Sequence, residues 1–206
     1  MSLYQSLLEQ YGYNEPIVSN EIEYKSYSRP WIYKEMNKLC DQGMVVRYEK
    51  GIYYIPTKTI LGTSMLDPRK VIEKRYIKDG EDIIGYYSGA TLLNQLDLST
   101  QMPNTIELYT NNETSRLRNT TVGNQKVVLR RARTPINTSN AAVLCFLELM
   151  NSVPASFFDE ERKAKVCSFV QRNNISRSDI AQFVKDFPDK VFRTLVESEV
   201  IYSVAQ

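Results

Sequence analysis

The chain contains no histidine. That removes the commonest general base, the Ser-His and Cys-His nucleophile pairs and most zinc sites. Cysteine is scarce: Cys40, Cys145 and Cys167 are odd in number, far apart and each set in an apolar helical pattern. Buried reduced thiols are therefore expected, rather than a disulfide framework or a metal site. No G-x-x-x-x-G-K-[ST], G-x-G-x-x-G or G-x-S-x-G motif occurs, so the glycine-built signatures of phosphate loops, dinucleotide folds and nucleophile elbows are missing. No apolar run approaches a membrane span, and the opening "MSLYQSLLEQYG" carries Glu9 and no basic region, unlike a signal peptide. A cytoplasmic protein with no membrane partner is expected. An excess of one charge is also lacking: 26 Lys and Arg face 24 Asp and Glu, a net charge of +2. Bulk charge names no partner, and any nucleic-acid role must come from local placement.

What is present is an ordinary folded composition, 42% hydrophobic and 24% charged over 206 residues, enough for one large domain or two small ones. Leu3, Leu7, Leu8 and Tyr11 recur at helical spacing before Gly12. "YNEPIVS" reads as a turn, and Asn20 to Lys25 as at most a small helix. A stronger helix begins near Pro30, whose missing N–H suits a first turn. Its apolar residues are Ile32, Met36, Leu39 and Cys40, and Gly43 is its stop. Met44–Arg47 and Ile52–Ile55 read as two strands around a turn at Glu49 to Gly51. Helix, short helix, helix, hairpin is the order of a winged helix-turn-helix. The predicted fold class is therefore α+β: an N-terminal winged helix-turn-helix over residues 1–60, then a larger mixed α/β domain over 61–206. In that second part, strands are expected at "IIGYYS", Thr105–Thr110 and Lys126–Ala132. Helices are expected from Asp67, at Gly89–Leu96, Asn140–Met150, Glu160–Arg172, Ser178–Phe187 and Lys190–Val196. Ser176 with Asp179 resembles a capping box.

On the helix beginning near Pro30, Lys34, Asn37 and Lys38 lie opposite the apolar side, and Ser28 and Arg29 stand at its start. In helix-turn-helix docking the N-terminal part of the second helix enters the major groove. These side chains offer the donors that base edges and phosphates accept. The hairpin adds Arg47 and Lys50, the latter beside Gly51, where no side chain obstructs a phosphate backbone. At least one of Tyr48, Tyr53 and Tyr54 is a candidate to offer its hydroxyl to phosphate. Against this, residues 1–60 hold seven basic and seven acidic residues, and far-side lysines are often only solvated. A winged-helix protein-interaction adaptor is the alternative reading.

A second basic feature lies further on. Thr114 to Leu147 contains no Asp or Glu, yet Arg116, Arg118, Lys126, Arg130, Arg131 and Arg133 fall within it. Arg116 and Arg118 are placed in a loop. On a strand, Arg131 and Arg133 point to one face and Arg130 to the other. Two readings stand side by side: a second phosphate-binding surface, or strand arginines paired with acids such as Asp159, Glu160 and Glu161. The acidic groups at Asp79–Asp82 and Asp159–Glu161 sit at helix boundaries, where acids favour helix N-termini. Neither catalysis nor a metal or other cofactor is expected of them.

The stretch "LCDQGMVVRYEKGIYYIP" resembles the helix end and wing of AbiEi-type antitoxins. "GYYSGATLLNQLDLS", Gly85 to Ser99, is similar to the start of that family's second domain, and "NTIELYT" fits the same layout. The resemblance implies the antitoxin of a bicistronic type IV toxin–antitoxin, or phage-defence, system. Such a protein represses its own promoter by binding inverted repeats in double-stranded DNA. It counters a nucleotidyltransferase-like toxin, commonly without a stable complex. Residue by residue, Lys34, Lys38, Arg47 and Lys50 carry over as DNA contacts.

Overall fold

Ser2 opens the first helix, α1 (Leu3–Tyr11), with a capping box. Its hydroxyl accepts from the Gln5 N–H, and the Gln5 side chain accepts from the Ser2 N–H, satisfying two donors that a helix start leaves orphaned. The computed structural model describes residues 1–60 and 62–204, a mixed α/β chain with eight α-helices among those residues. It divides into two compact units, 1–74 and 75–206.

In the first unit, α1 is followed by β1 (Ile17–Val18), α2 (Arg29–Asp41), β2 (Val46–Glu49) and β3 (Ile52–Tyr54). The three strands form one antiparallel sheet in the order β1-β3-β2. A two-residue strand is too short to read from periodicity, and β1 was not anticipated. The hairpin turn needs a left-handed residue, which Gly51 supplies at φ +81. Ile32, Met36 and Leu39 turn inward from α2 to meet Leu3, Leu7, Ile17 and Tyr53 in one core.

Asn20 to Lys25, expected to make at most a small helix, makes none. Ile22 and Tyr24 are both buried, and a spacing of two does not place residues on one helical face. Ile22 to Tyr24 run without regular structure between a turn at Asn20 and Glu21 and one at Lys25, which is left-handed at φ 50. Tyr24, Tyr27 and Trp31 stack there, the last two with ring centroids 3.9 Å apart.

The expected domain division at residue 60 falls inside the first unit. The chain beyond it forms a small hairpin, β4 (Lys58–Thr59) and β5 (Gly62–Thr63), before α3 (Pro68–Tyr76). It is tied back by Tyr54 Oη donating to the Ser64 carbonyl at 3.1 Å, by Lys70 paired with Glu15 and by Lys74 paired with Glu21 at 2.7 Å.

The second unit begins with a short hairpin, β6 (Lys78–Asp79) and β7 (Asp82–Ile83), and continues through β8 (Gly85–Ser88) into α4 (Gly89–Gln95). Then come β9 (Thr105–Thr110), β10 (Leu117–Val122) and β11 (Gln125–Arg131). The sheet order is β10-β11-β9-β8, with β9 and β11 parallel and the other pairs antiparallel. Arg116 lies at a bend, in keeping with the loop expected there, whereas Arg118 falls on β10. It is an edge strand exposed along most of its length, so no apolar alternation marks it; its pairing with β11 holds it. Gly85 is required by close approach: a Cβ there would lie 2.0 Å from the Tyr76 carbonyl oxygen and 2.7 Å from that of Tyr109.

The helix α5 (Ala141–Ser152) is apolar on nearly all sides and buried, as such a helix must be. Around it pack α6 (Glu160–Arg172), α7 (Arg177–Phe183) and α8 (Lys190–Glu197). Ser176 and Asp179 form the capping box read from the sequence. Ile180 and Phe187 are buried in this core, with Val184 packed against it. The three cysteines are unpaired thiols. Among the described residues no helix is long and apolar enough to cross a membrane.

Candidate functional site

Two basic features emerge, one in each unit. In the first, α2 turns Ile32, Met36 and Leu39 into the core and leaves Lys34, Asn37 and Lys38 exposed. Lys38 pairs with Glu35 at 3.3 Å, one turn away, and keeps 61% of its side chain in solvent. Such a surface pair holds the lysine loosely, by at most about 1 kcal/mol. Arg47 on β2 and Lys50 at the hairpin turn are also exposed. Ser28 is the N-cap of α2, exposed and making no capping bond with its side chain. Arg29 is exposed but partly committed: Nη1 donates to the carbonyls of Ile22 at 2.9 Å and Ser19 at 3.3 Å. It thereby fastens the preceding turn to the start of α2.

The hairpin tyrosines are mostly occupied with structure. Tyr53 and Tyr54 are buried, the Tyr54 hydroxyl is spent on Ser64, and the Tyr48 hydroxyl is buried without a partner among the described residues. Burial pushes the Tyr48 and Tyr54 phenols above their ordinary range. Glu15 and Glu21 are paired with Lys70 and Lys74 of α3.

In the second unit a cleft of about 910 Å³ opens beside the end of β11. Arg116, Arg130, Arg131 and Arg133 all line it. Arg130 and Arg131 are the last two residues of β11, and Arg133 lies just beyond its end. Arg118 stands apart, donating from Nε to Glu113 at 2.6 Å. The Ser115 N–H and Arg118 together hold the Glu113 carboxyl below its ordinary value, the backbone bond foremost.

The acids that meet the cleft arginines are not those expected. Asp159 caps α6 and, with Glu160 and Glu161, pairs with basic residues of its own helix. Arg130 instead meets Glu107 of β9 at 3.0 Å, and Arg133 lies 3.6 Å from the carboxylate of Glu148 on α5. Glu148 is the deeper anchor, with 4% of its side chain exposed. It accepts from Ser88 Oγ at 2.8 Å and from Asn151 Nδ2 at 3.2 Å. Arg133 Nη2 also donates to the Tyr109 hydroxyl at 2.8 Å, and its guanidinium lies 5.1 Å from the Tyr109 ring and 5.0 Å from that of Phe187. Burial first, then Glu148, raises the phenols of Tyr86 and Tyr109, that of Tyr86 well above its usual value.

Among the described residues, Arg116 and Arg131 line the cleft with no ion-pair partner. The cleft thus holds four arginines against two glutamates. Asn151 Oδ1 is buried with no hydrogen bond among the described residues, which costs about 1–3 kcal/mol. Sequence reasoning missed Glu107, Glu148, Ser88 and Asn151. The visible signal was Glu148, a lone acid in the apolar run "AAVLCFLELM" that ends a long acid-free stretch. Asn151 follows at i+3, on the same helical face.

No curated protein matches the chain significantly. A family model described as "Family of unknown function (DUF6088)" matches residues 17–177. That match spans most of the chain, from β1 through the α2 face and the arginine-lined strand to α6, and the protein therefore belongs to the DUF6088 family.

Proposed function

We propose that this protein is a DNA-binding autorepressor, the antitoxin of a toxin–antitoxin operon of the AbiEi type, acting in the cytoplasm. Its first unit is read as a winged helix-turn-helix that grips inverted repeats in its own promoter. The observation that carries this reading is the single exposed set Lys34, Asn37 and Lys38 on α2, joined by Arg47 and Lys50 on the adjoining hairpin. The rest of α2 is anchored by three buried side chains, so the basic side is held outward by the core rather than by chance. The nucleotidyltransferase-like toxin and the promoter repeats come from the resemblance of "LCDQGMVVRYEKGIYYIP" and "GYYSGATLLNQLDLS" to that family.

The test is a binding titration of the full chain on the DNA upstream of its own reading frame, repeated across salt concentrations. Replacing Lys34 and Lys38 by Ala weakens binding and flattens the log–log salt slope by about 0.9 for each phosphate no longer neutralised. An unchanged slope would mean that these lysines touch no phosphate, and a parent protein without salt-sensitive binding would favour the adaptor reading.

A further inference from the structure

We propose that the arginine-lined cleft of the second unit binds a phosphorylated small molecule of nucleotide size, with Arg116 and Arg131 holding the phosphate. The volume, about 910 Å³, lies within the range of small-molecule clefts, roughly 300–1,000 Å³. Its charge is arranged unevenly. Arg130 and Arg133 are answered by Glu107 and Glu148. Arg116 and Arg131 line the same wall without a carboxylate among the described residues. A guanidinium is a planar fork whose paired N–H groups match phosphate oxygens, and two such forks on one cleft suit a phosphate better than a single carboxylate.

The rest of the wall argues against a bare anion. Glu107, with 31% of its side chain exposed, adds carboxylate oxygens to the lining. Acceptors beside the unpaired arginines call for a ligand that carries hydroxyl or amino donors as well as phosphate, as the sugar and base of a nucleotide do. That carboxylate would repel the continuous phosphate edge of a duplex, which marks the cleft as distinct from the α2 surface. Arg133 and Glu148 are fixed by Tyr109, Phe187 and Ser88, so the wall is ordered before a ligand arrives.

The experiment is calorimetric titration of the full chain at low salt with ATP, GTP, CTP and UTP, and separately with inorganic phosphate. At least one nucleotide is expected to bind, about tenfold or more tighter than phosphate. Replacing Arg116 and Arg131 together by Ala weakens it about tenfold or more. Lys126→Ala, on the same strand but outside the cleft lining, leaves it unchanged. Phenylglyoxal modification of the unaltered chain gives a readout independent of any variant, since bound nucleotide should shield Arg131. The proposal is overturned if no nucleotide binds at millimolar concentration, or if phosphate binds as tightly as every nucleotide. It is equally overturned if a short DNA duplex displaces the nucleotide and shields Arg131 in its place. Lys34 and Lys38 take no part in these readouts, so failure here leaves the promoter-binding reading standing.

Discussion

Replacing Glu148 by Ala removes the carboxylate on which the inner wall of the cleft depends. The side chain is 4% exposed and accepts from Ser88, whose hydroxyl lies 2.8 Å away and is itself buried. Without it, that hydroxyl has no partner, and an unsatisfied buried group costs about 1–3 kcal/mol. Arg133 loses its counter-charge, though it keeps the Tyr109 hydroxyl and 26% of its side chain in solvent, which limits the penalty. The truncated methylenes leave a void beside α5. Together these place Glu148→Ala at about 3–5 kcal/mol, the range for breaking a buried pair from one side. Glu148→Gln keeps the shape and the bond from Ser88 and should cost about half as much. The Glu107–Arg130 pair is the internal control. Both its side chains are 31% exposed, so Glu107→Ala should cost no more than about 1 kcal/mol. Urea unfolding followed by far-UV circular dichroism reads all three. The lone tryptophan, Trp31, gives a separate fluorescence trace for the first unit. A Glu148→Ala loss no larger than that of Glu107→Ala would refute the argument that burial decides the strength of these pairs.

Two other perturbations test the fold around the same site. Gly85→Ala drives a Cβ against the carbonyl oxygens of Tyr76 and Tyr109. Backbone cannot swing aside, so the loss should exceed the usual overpacking cost of about 1–3 kcal/mol, seen as a lowered thermal midpoint or insoluble protein. Burial, then Glu148, pushes the Cys145 thiol from its ordinary 9.0 up to about 12. The folded state therefore resists forming the thiolate. Its contribution is complete below pH 9 and is lost as pH rises toward 12, at up to about 1.4 kcal/mol per pH unit. Urea midpoints measured across that alkaline window should fall less steeply for Cys145→Ala; an identical slope would remove Cys145 as a cause.

How much could be read in advance follows from how each element announces itself. α2 and α6 were legible because both carry helical apolar spacing, with a proline in the first turn of one and Asp159 capping the other. β9 was legible because "TIELYT" is rich in strand formers. β10 was not: Arg118, Asn119 and Thr121 face solvent, and only pairing with β11 makes the segment a strand. The exposure of Lys34 and Lys38 followed from the wheel, since the core side of α2 leaves them nowhere else to go. The partners of the strand arginines did not follow. Glu107 and Glu148 lie 23 and 15 residues from Arg130 and Arg133, and which acid meets which arginine depends on sheet order and on the placement of α5. The clustering of Arg116 with Arg131 required the β10–β11 register, in which Leu117 lies opposite Arg130.

The order of strands in the larger sheet has a bearing on how the chain reaches its native state. β10 and β11 meet across the turn at Gly123 and Asn124, with Val122 opposite Gln125, so they zip between neighbours in sequence. Hairpins of this kind assemble on a scale of about 1–10 μs. β9, by contrast, aligns Thr105 with Lys126 in a parallel pair and must wait until the finished hairpin swings round to it. Closing that excursion costs entropy before any pairing repays it. The hairpin thus draws Arg116 toward Arg130 and Arg131 early, and Glu107 on β9 reaches Arg130 only once the parallel pairing is complete.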